Sequence, residues 1–273
     1  MSDYTIWEPA DAAAHVRVPE PGDDKYSRGV LGVITGSAQY PGAAVLGVEA
    51  ALRTGVGMVR YVGPKSVGRA VLARRPEAVA GAGRVQAWLI GSGMDHASRS
   101  AATGDRMAEA LRQELPTVLD GGAFDLYTRS HGPTVLTPHY RELARVLDSS
   151  VEEIAADPGA AAAHAADTLG VTVLLKGHTS YVAGPGGLRL ASSTAPSWLA
   201  TAGAGDALGG ILGALVATHY EDILADPAVL GRLAASACVL HGLAAERASG
   251  GGPLTILDLA AAIPATISDL LAH

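Results

Sequence analysis

The chain has 273 residues, 48% of them hydrophobic and 17% charged, with a formal net charge of -7 and a pI near 5.7. This balance supplies a substantial core and excludes an intrinsically disordered chain, and the acidic charge argues against nucleic acid or an anionic membrane as the main partner. A single cysteine, Cys238, excludes an intramolecular disulfide, and MSDYTIWEPADAAAH lacks the basic start and apolar core of a secretory signal, so the expectation is a cytoplasmic protein.

Residues 1–29 are polar and proline-punctuated and read as an irregular lead-in to one domain spanning 1–273. VLGVITG (30–36) is a short apolar run ending in glycine, the mark of a buried strand. Residues 40–55 read as a helix, with Pro41 suited to its first turn and Gly55 to its end. Further strands are expected at 57–63, 85–93, 117–122, 134–139 and 171–177. Helices are expected at 98–114, at 140–147 and at 151–169, the last interrupted at Pro158. SYVAGPGGLRLAS (180–192) reads as a hairpin, and helices follow at 205–218, 229–248 and 258–271. The longest strongly apolar run, Ala207 to Ala217, falls short of the roughly 20 residues that cross a bilayer, so no membrane partner is expected.

Strands that are apolar on nearly every residue and alternate with helices imply an α/β fold with a mostly parallel sheet covered on both faces. Ligands in such sheets bind beyond the carboxyl ends of the strands. Gly36, Gly91, Asp120, His139 and Lys176 fall at those ends.

The common fingerprints are missing: there is no G-x-G-x-x-G after a strand, no P-loop, no zinc-spaced Cys/His cluster and no G-x-S-x-G elbow. No residue is assigned as a metal ligand. What stands out is TAGAGDALGG, Thr201 to Gly210. Gly203 and Gly205 allow close backbone approach, and Ala204 lies between them. A helix starting here would aim its free N–H groups at an anion, with Asp206 in the first turn. Taken alone, Asp206 is equally well read as a helix-capping acid. Beside a phosphoryl group held in that hole, it becomes a base for a hydroxyl proton.

The A-G-A-G-D segment resembles the G-x-G-D anion-hole motif of ribokinase-like small-molecule kinases. Other segments resemble one branch of that superfamily, the ADP-dependent NAD(P)H-hydrate dehydratases. They are KYSRGVLGVITGSAQYPGAAVLGVEAALRTGVGMVR, IGSGM, VLTPHYRELARVL and VLLKGHTSYVA, and they occur in the family's order. The resemblance implies a three-layer αβα fold and repair of hydrated NADH and NADPH (NADHX and NADPHX). ADP, or ATP, would be the co-substrate, with Mg²⁺ on its phosphates. It places Ala43, Gly93, His139 and Asp206 on the hydrated nicotinamide, with Asp206 catalytic. It places Lys176, Gly177, His178, Thr179 and Ser180 on the nucleotide, together with Gly203, Ala204 and Gly205. It also implies a homo-oligomer, a tetramer by family habit, and an NAD(P)HX epimerase as a partner activity. A thiazole- or pyrimidine-alcohol kinase and a catalytically silent nucleotide-binding protein share the same anion hole and remain the alternatives.

Several positions depart from the family pattern. APSWLATAGAGD carries Ser197 and Trp198 where the family has glycine and methionine, LDGGAF replaces an L-D-A-D-A-L segment after Asp120, and the chain contains no asparagine. Asp120 is read as orienting Mg²⁺ or water, or as capping its loop. Cys238 and His241 are read as packing residues of an apolar helix.

Overall fold

A computed structural model describes residues 4–272. Strands β1 (Thr5–Ile6), β2 (Val30–Ile34), β3 (Met58–Tyr61), β4 (Val79–Ala80), β5 (Ala87–Ile90), β6 (Thr117–Leu119), β7 (Thr134–Leu136), β8 (Thr172–Leu175), β9 (Ser180–Gly184) and β10 (Leu188–Ser192) form one sheet. Their order is β1-β10-β9-β8-β7-β6-β5-β2-β3-β4. Only β9 runs antiparallel to its neighbours, β8 and β10; the other ladders are parallel. The chain runs outward from β2 to β3 and β4, then returns to the other side of β2 as β5 and continues the opposite way.

The helices are α1 (Pro9–Ala13), α2 (Pro41–Thr54), α3 (Lys65–Arg74), α4 (Ala101–Leu111), α5 (Tyr140–Val146), α6 (Val151–Ala156), α7 (Pro158–Leu169), α8 (Ala204–Thr218), α9 (Tyr220–Ala225), α10 (Ala228–Ser249) and α11 (Ile256–Leu271). One face of the sheet, through Leu31, Leu89, Val118 and Leu174, packs on α2, α8, α10 and α11. On the other face Ile34, Trp88 and Ile90 pack against Met107 and Leu111 of α4, and Val173 and Leu175 against α5 to α7. With both faces covered, β2, β5 and β8 are buried at every position, and all but Thr172 of these residues are apolar or glycine. The result is the three-layer αβα arrangement.

Local chemistry sets the helix ends. Pro41 opens α2 and Gly55, at φ 101°, closes it. The Asp157 side chain caps α7, which Pro158 starts, so α6 and α7 separate where the proline predicts. The hairpin turns at Gly184–Gly187 as its glycines require.

The lead-in differs from expectation. Thr5–Ile6 pairs with Leu190 and Ala191 at the sheet edge, and α1 packs on α10, so 1–29 is not wholly irregular. Two strand residues and five helical ones are too few to leave a periodicity. Helices α3 and α9 also escape the sequence reading, as does a 3-10 segment over Gly121–Arg129. Among the described residues one helix, α10, is long and apolar enough to cross a membrane by length and composition, yet 78% of its most apolar window is buried inside the fold.

One buried charge braces the α2–α3 corner. Glu49 has no exposed side-chain surface and meets Arg53 (2.7 Å), Arg74 (3.2 Å) and Arg75. Burial favours its neutral form, but the three guanidinium groups prevail and bring its pKa down to about 2. A carboxyl with a depressed folded pKa contributes stability above its unfolded value, and that contribution fades as pH falls from about 4.5 to about 2. Glu49→Gln is therefore expected to lose about 3 kcal/mol at neutral pH, with the deficit shrinking as pH falls toward 3. Urea unfolding at several pH values measures this.

Candidate active site

The segment that stood out in the sequence starts α8. Gly203 is its N-cap, in the left-handed region at φ 92°, and no side chain caps the first turn. A β-carbon on Gly203 would lie 2.5 Å from Leu46 Cδ1, so glycine is needed there for both backbone and space. The helix's free N–H groups are left for an external partner. Gly210 serves a different purpose: a β-carbon on it would come 2.1 Å from the Gly47 carbonyl oxygen, where α2 and α8 touch backbone to backbone. The second half of the motif is thus helix packing, which holds the first half rigidly.

Asp206 occupies the third position of α8. Around it, three carboxyl-end loops deliver charged groups. Lys176 follows β8, and its Nζ lies 2.9 Å from Oδ1 of Asp120, which follows β6. Thr137, after β7, donates its hydroxyl to the same oxygen at 2.8 Å. Glu142 of α5 stands 4.0 Å from Nζ. A β-carbon on Gly205 would lie 3.4 Å from Nζ, so the missing side chain leaves the ammonium room at the start of α8.

The electrostatics separate the two aspartates. Burial pushes the Asp120 carboxyl up, but Lys176 and Thr137 outweigh it and hold Asp120 below the ordinary carboxylate range. Burial lowers the Lys176 ammonium, but Asp120 first, then Glu142 and Asp206, raise it above its usual value. Asp206 lacks such a partner: burial and the Asp120 charge push its pKa up to about 6, and Lys176 only partly opposes them. An ionised pair beside a carboxyl poised near neutrality is how acid–base sites divide their roles.

Next to this cluster a cleft of about 360 Å³ is lined by Lys176, Gly177, His178, Ser180, Ala204 and Gly205, six of the eight residues expected at the nucleotide. Thr179 and Gly203 lie in the same two loops but outside the lining. Ala43 and Gly93 form a separate corner, where a β-carbon on Gly93 would overlap Ala43 Cβ at 2.2 Å. Ala43 sits one turn before Gly47, which touches the Asp206 carbonyl oxygen side of α8. His139 takes a local role as the N-cap of α5: Nδ1 accepts from the Glu142 N–H at 3.2 Å, and Glu142 returns a bond to the His139 N–H. Backbone pairing of His139 with Lys176 keeps it at the rim of the cluster. The ring is about half exposed, with Nε2 3.6 Å from Glu142.

Three features exceed the sequence reading. Asp120 is central and buried, despite the altered residues after it. Glu142 joins the cluster; the H-x-x-E spacing of its capping box was the available signal. Cys238 and His241 are buried as expected of packing residues, but both also line the cleft. Burial lowers the His241 pKa to about 4, so its ring is neutral, and Nε2 has no hydrogen-bond partner among the described residues. In the departing loop, Trp198 is half exposed and turns out of the cleft to donate to the Gly251 carbonyl at 3.2 Å, while Pro196, Ser197 and Leu199 line it.

Among protein families, a model described as NAD(P)H-hydrate dehydratase matches residues 31–263. The chain is similar to the bifunctional NAD(P)H-hydrate repair enzyme Nnr of Mycobacterium tuberculosis H37Rv, at 42% identity over 229 residues, covering 80% of this chain and 47% of that protein. It thus spans about half the length of this curated relative. It is also similar to the ADP-dependent (S)-NAD(P)H-hydrate dehydratase of Neisseria meningitidis serogroup B, at 33% identity, covering 80% of this chain and 76% of the relative. In fold it is similar to the Bacillus subtilis ADP/ATP-dependent NAD(P)H-hydrate dehydratase co-crystallized with ATP/Mg²⁺, with a TM-score of 0.87 at 24% identity over 99% of this chain and 100% of the other.

Proposed function

Because the chain belongs to the NAD(P)H-hydrate dehydratase family, we propose that it converts the S-epimer of hydrated NADH or NADPH back to the reduced cofactor, coupled to cleavage of ADP. The observation that carries this reading is Asp206, a half-buried carboxyl with its pKa near 6 at the uncapped start of α8, beside the Asp120–Lys176 pair.

Hydroxide is a poor leaving group and phosphate a good one. Asp206 takes the proton of the hydrate hydroxyl, and that oxygen attacks the terminal phosphoryl group of ADP, releasing AMP. Phosphate then departs with its C–O bonding pair, a proton leaves the neighbouring ring carbon, and the double bond reforms. The α8 N–H groups and Lys176 hold the phosphoryl oxygens in line and stabilise the charge that builds on them. Among the described residues no group of three acidic, histidine or cysteine side chains is placed to hold a metal ion by itself. That donor set fits a Mg²⁺ carried in on the nucleotide phosphates, which takes only one or two protein carboxylates, and Asp120 and Asp206 are the two at hand. When bound, the ion would neutralise phosphate charge.

The test incubates the protein with hydrated NADH and ADP and follows the absorbance of regenerated NADH. Nucleotide-dependent recovery is expected. Absence of recovery with ADP and with ATP rejects the reading, and a phosphorylated product that accumulates identifies a kinase instead.

The unpaired His241 nitrogen gives a second check. A buried acceptor without a partner costs about 1–3 kcal/mol until something satisfies it. If the nucleotide does so, His241→Leu raises the KM for ADP about tenfold without loss of thermal stability, and His241→Gln, which restores an acceptor, recovers much of the affinity. Melting curves with and without ADP read both effects.

A further inference from the structure

A second crevice opens where the sheet changes direction. β2 leads outward through α2 to β3, and β5 returns on the other side of β2, so the helices that follow β2 and β5, α2 and α4, lie on opposite faces of the sheet. Such switch points at carboxyl ends are where parallel sheets receive ligands. The crevice measures about 370 Å³ and is bounded by Gly36 and Ser37 after β2, Lys65 at the start of α3, and Asp95, Arg99 and Arg106 after β5.

Its charge is positive, although the chain carries -7 overall. Arg99 is neutralised by Asp125 at 2.6 Å. Asp95 is engaged as the cap of the next turn, accepting from the Ala97 N–H at 3.0 Å, with His96 3.5 Å away. Lys65 and Arg106 make no ion pair among the described residues. The first turn of α3, which Lys65 opens, has no side-chain cap. The crevice borders the expected nicotinamide corner through Gly36, which lines it: Gly93 packs against both Gly36 and Ala43, a β-carbon on it falling 3.4 Å from Gly36 Cα and overlapping Ala43 Cβ at 2.2 Å. A dinucleotide with its nicotinamide at that corner must lead its phosphates away from it, and this is the cationic outlet beside it.

We propose that the crevice between the β2 and β5 loops is a phosphate subsite, in which Lys65 and Arg106 bind the adenosine half of the dinucleotide substrate. The inference rests on the dehydratase reading for its ligand. The shared chemistry is a phosphate anion, either the bridging pyrophosphate or the 2′-phosphate of the NADP form.

The experiment replaces both cations, Lys65→Ala with Arg106→Ala, and titrates the intact protein with NADPH, NADH and ADP by calorimetry, alongside steady-state kinetics on both hydrates. The expected result is at least tenfold weaker NADPH binding and a matching rise in hydrate KM, with ADP binding retained and kcat held within about twofold. Loss for NADPH alone identifies the 2′-phosphate, and equal loss for NADH identifies the pyrophosphate. Lys65→Arg with Arg106→Lys keeps the charge and is expected to restore most of the binding, which a purely structural role would not predict. Dinucleotide binding unchanged in the double variant, or no NADPH binding to the wild-type protein while ADP binds, overturns the proposal. A protein that binds NADPH through these residues but never restores a hydrate leaves it standing and rejects the dehydratase reading.

Discussion

Asp206→Asn is expected to cut kcat/KM about a thousandfold, the scale of losing a positioned general base, and at the same time to make the free protein more stable above pH 6. The two effects have one cause. Folding raises the Asp206 carboxyl from 3.8 to about 6, because burial and the nearby Asp120 charge both oppose its ionisation. A carboxyl whose folded pKa is raised favours folding below its unfolded value, and that contribution is lost as pH climbs through the folded value. At pH 8 the wild-type protein therefore carries a destabilising charge that asparagine removes. The gain is about 1–3 kcal/mol from a shift of this size, and it should vanish below pH 4. Denaturant unfolding at pH 4 and pH 8 supplies the stability half. The kinetic half is a kcat/KM profile whose acid limb lies near pH 6 in the wild type. Full activity in the variant would remove Asp206 from the chemistry, and unchanged stability at pH 8 would show that its carboxyl is not strained by burial.

Lys176→Met should be the most damaging single change to folding within the site. It leaves the buried Asp120 carboxylate with the Thr137 hydroxyl but no cation, and removing one partner of a buried ion pair costs about 3–5 kcal/mol. Adding Asp120→Asn to Lys176→Met removes the stranded charge, so the double variant is expected to recover most of the stability while ADP binding and turnover stay low. That separation of stability from function distinguishes a lysine that holds phosphate from one that merely neutralises Asp120. Asp120→Asn alone carries a further expectation. Without the Asp120 charge, Asp206 loses its second source of elevation, and the acid limb of the pH profile moves below 6. Calorimetric ADP titrations and the pH profiles together check these outcomes.

Part of this molecule was legible in the chain alone. Nearly all-apolar strands ending in glycine, such as VLGVITG, reported burial on both faces of a parallel sheet, because a strand with a solvated face would alternate apolar with polar residues. Proline and glycine marked the ends of α2 and α7 because their backbone preferences act within a few residues. The glycines before Asp206 announced a bare helix start for the same local reason. By contrast, α1 and β1 were illegible: elements this short are held by α10 and β10, far away in sequence, rather than by any pattern of their own.

The site divides along the same line. The sequence by itself determined the sheet class, the family and the position of the one acid at the head of α8, since each is written in a contiguous stretch. Only the tertiary structure decided that Asp120 pairs with Lys176, 56 positions away, and so stays ionised, while Asp206 beside them is pushed toward neutrality. It likewise turned His241 from a packing residue into a wall of the cleft, and brought Lys65 and Arg106 to one crevice. Charges act through space over a few ångströms, and those distances exist only once β2, β5, β6 and β8 lie side by side.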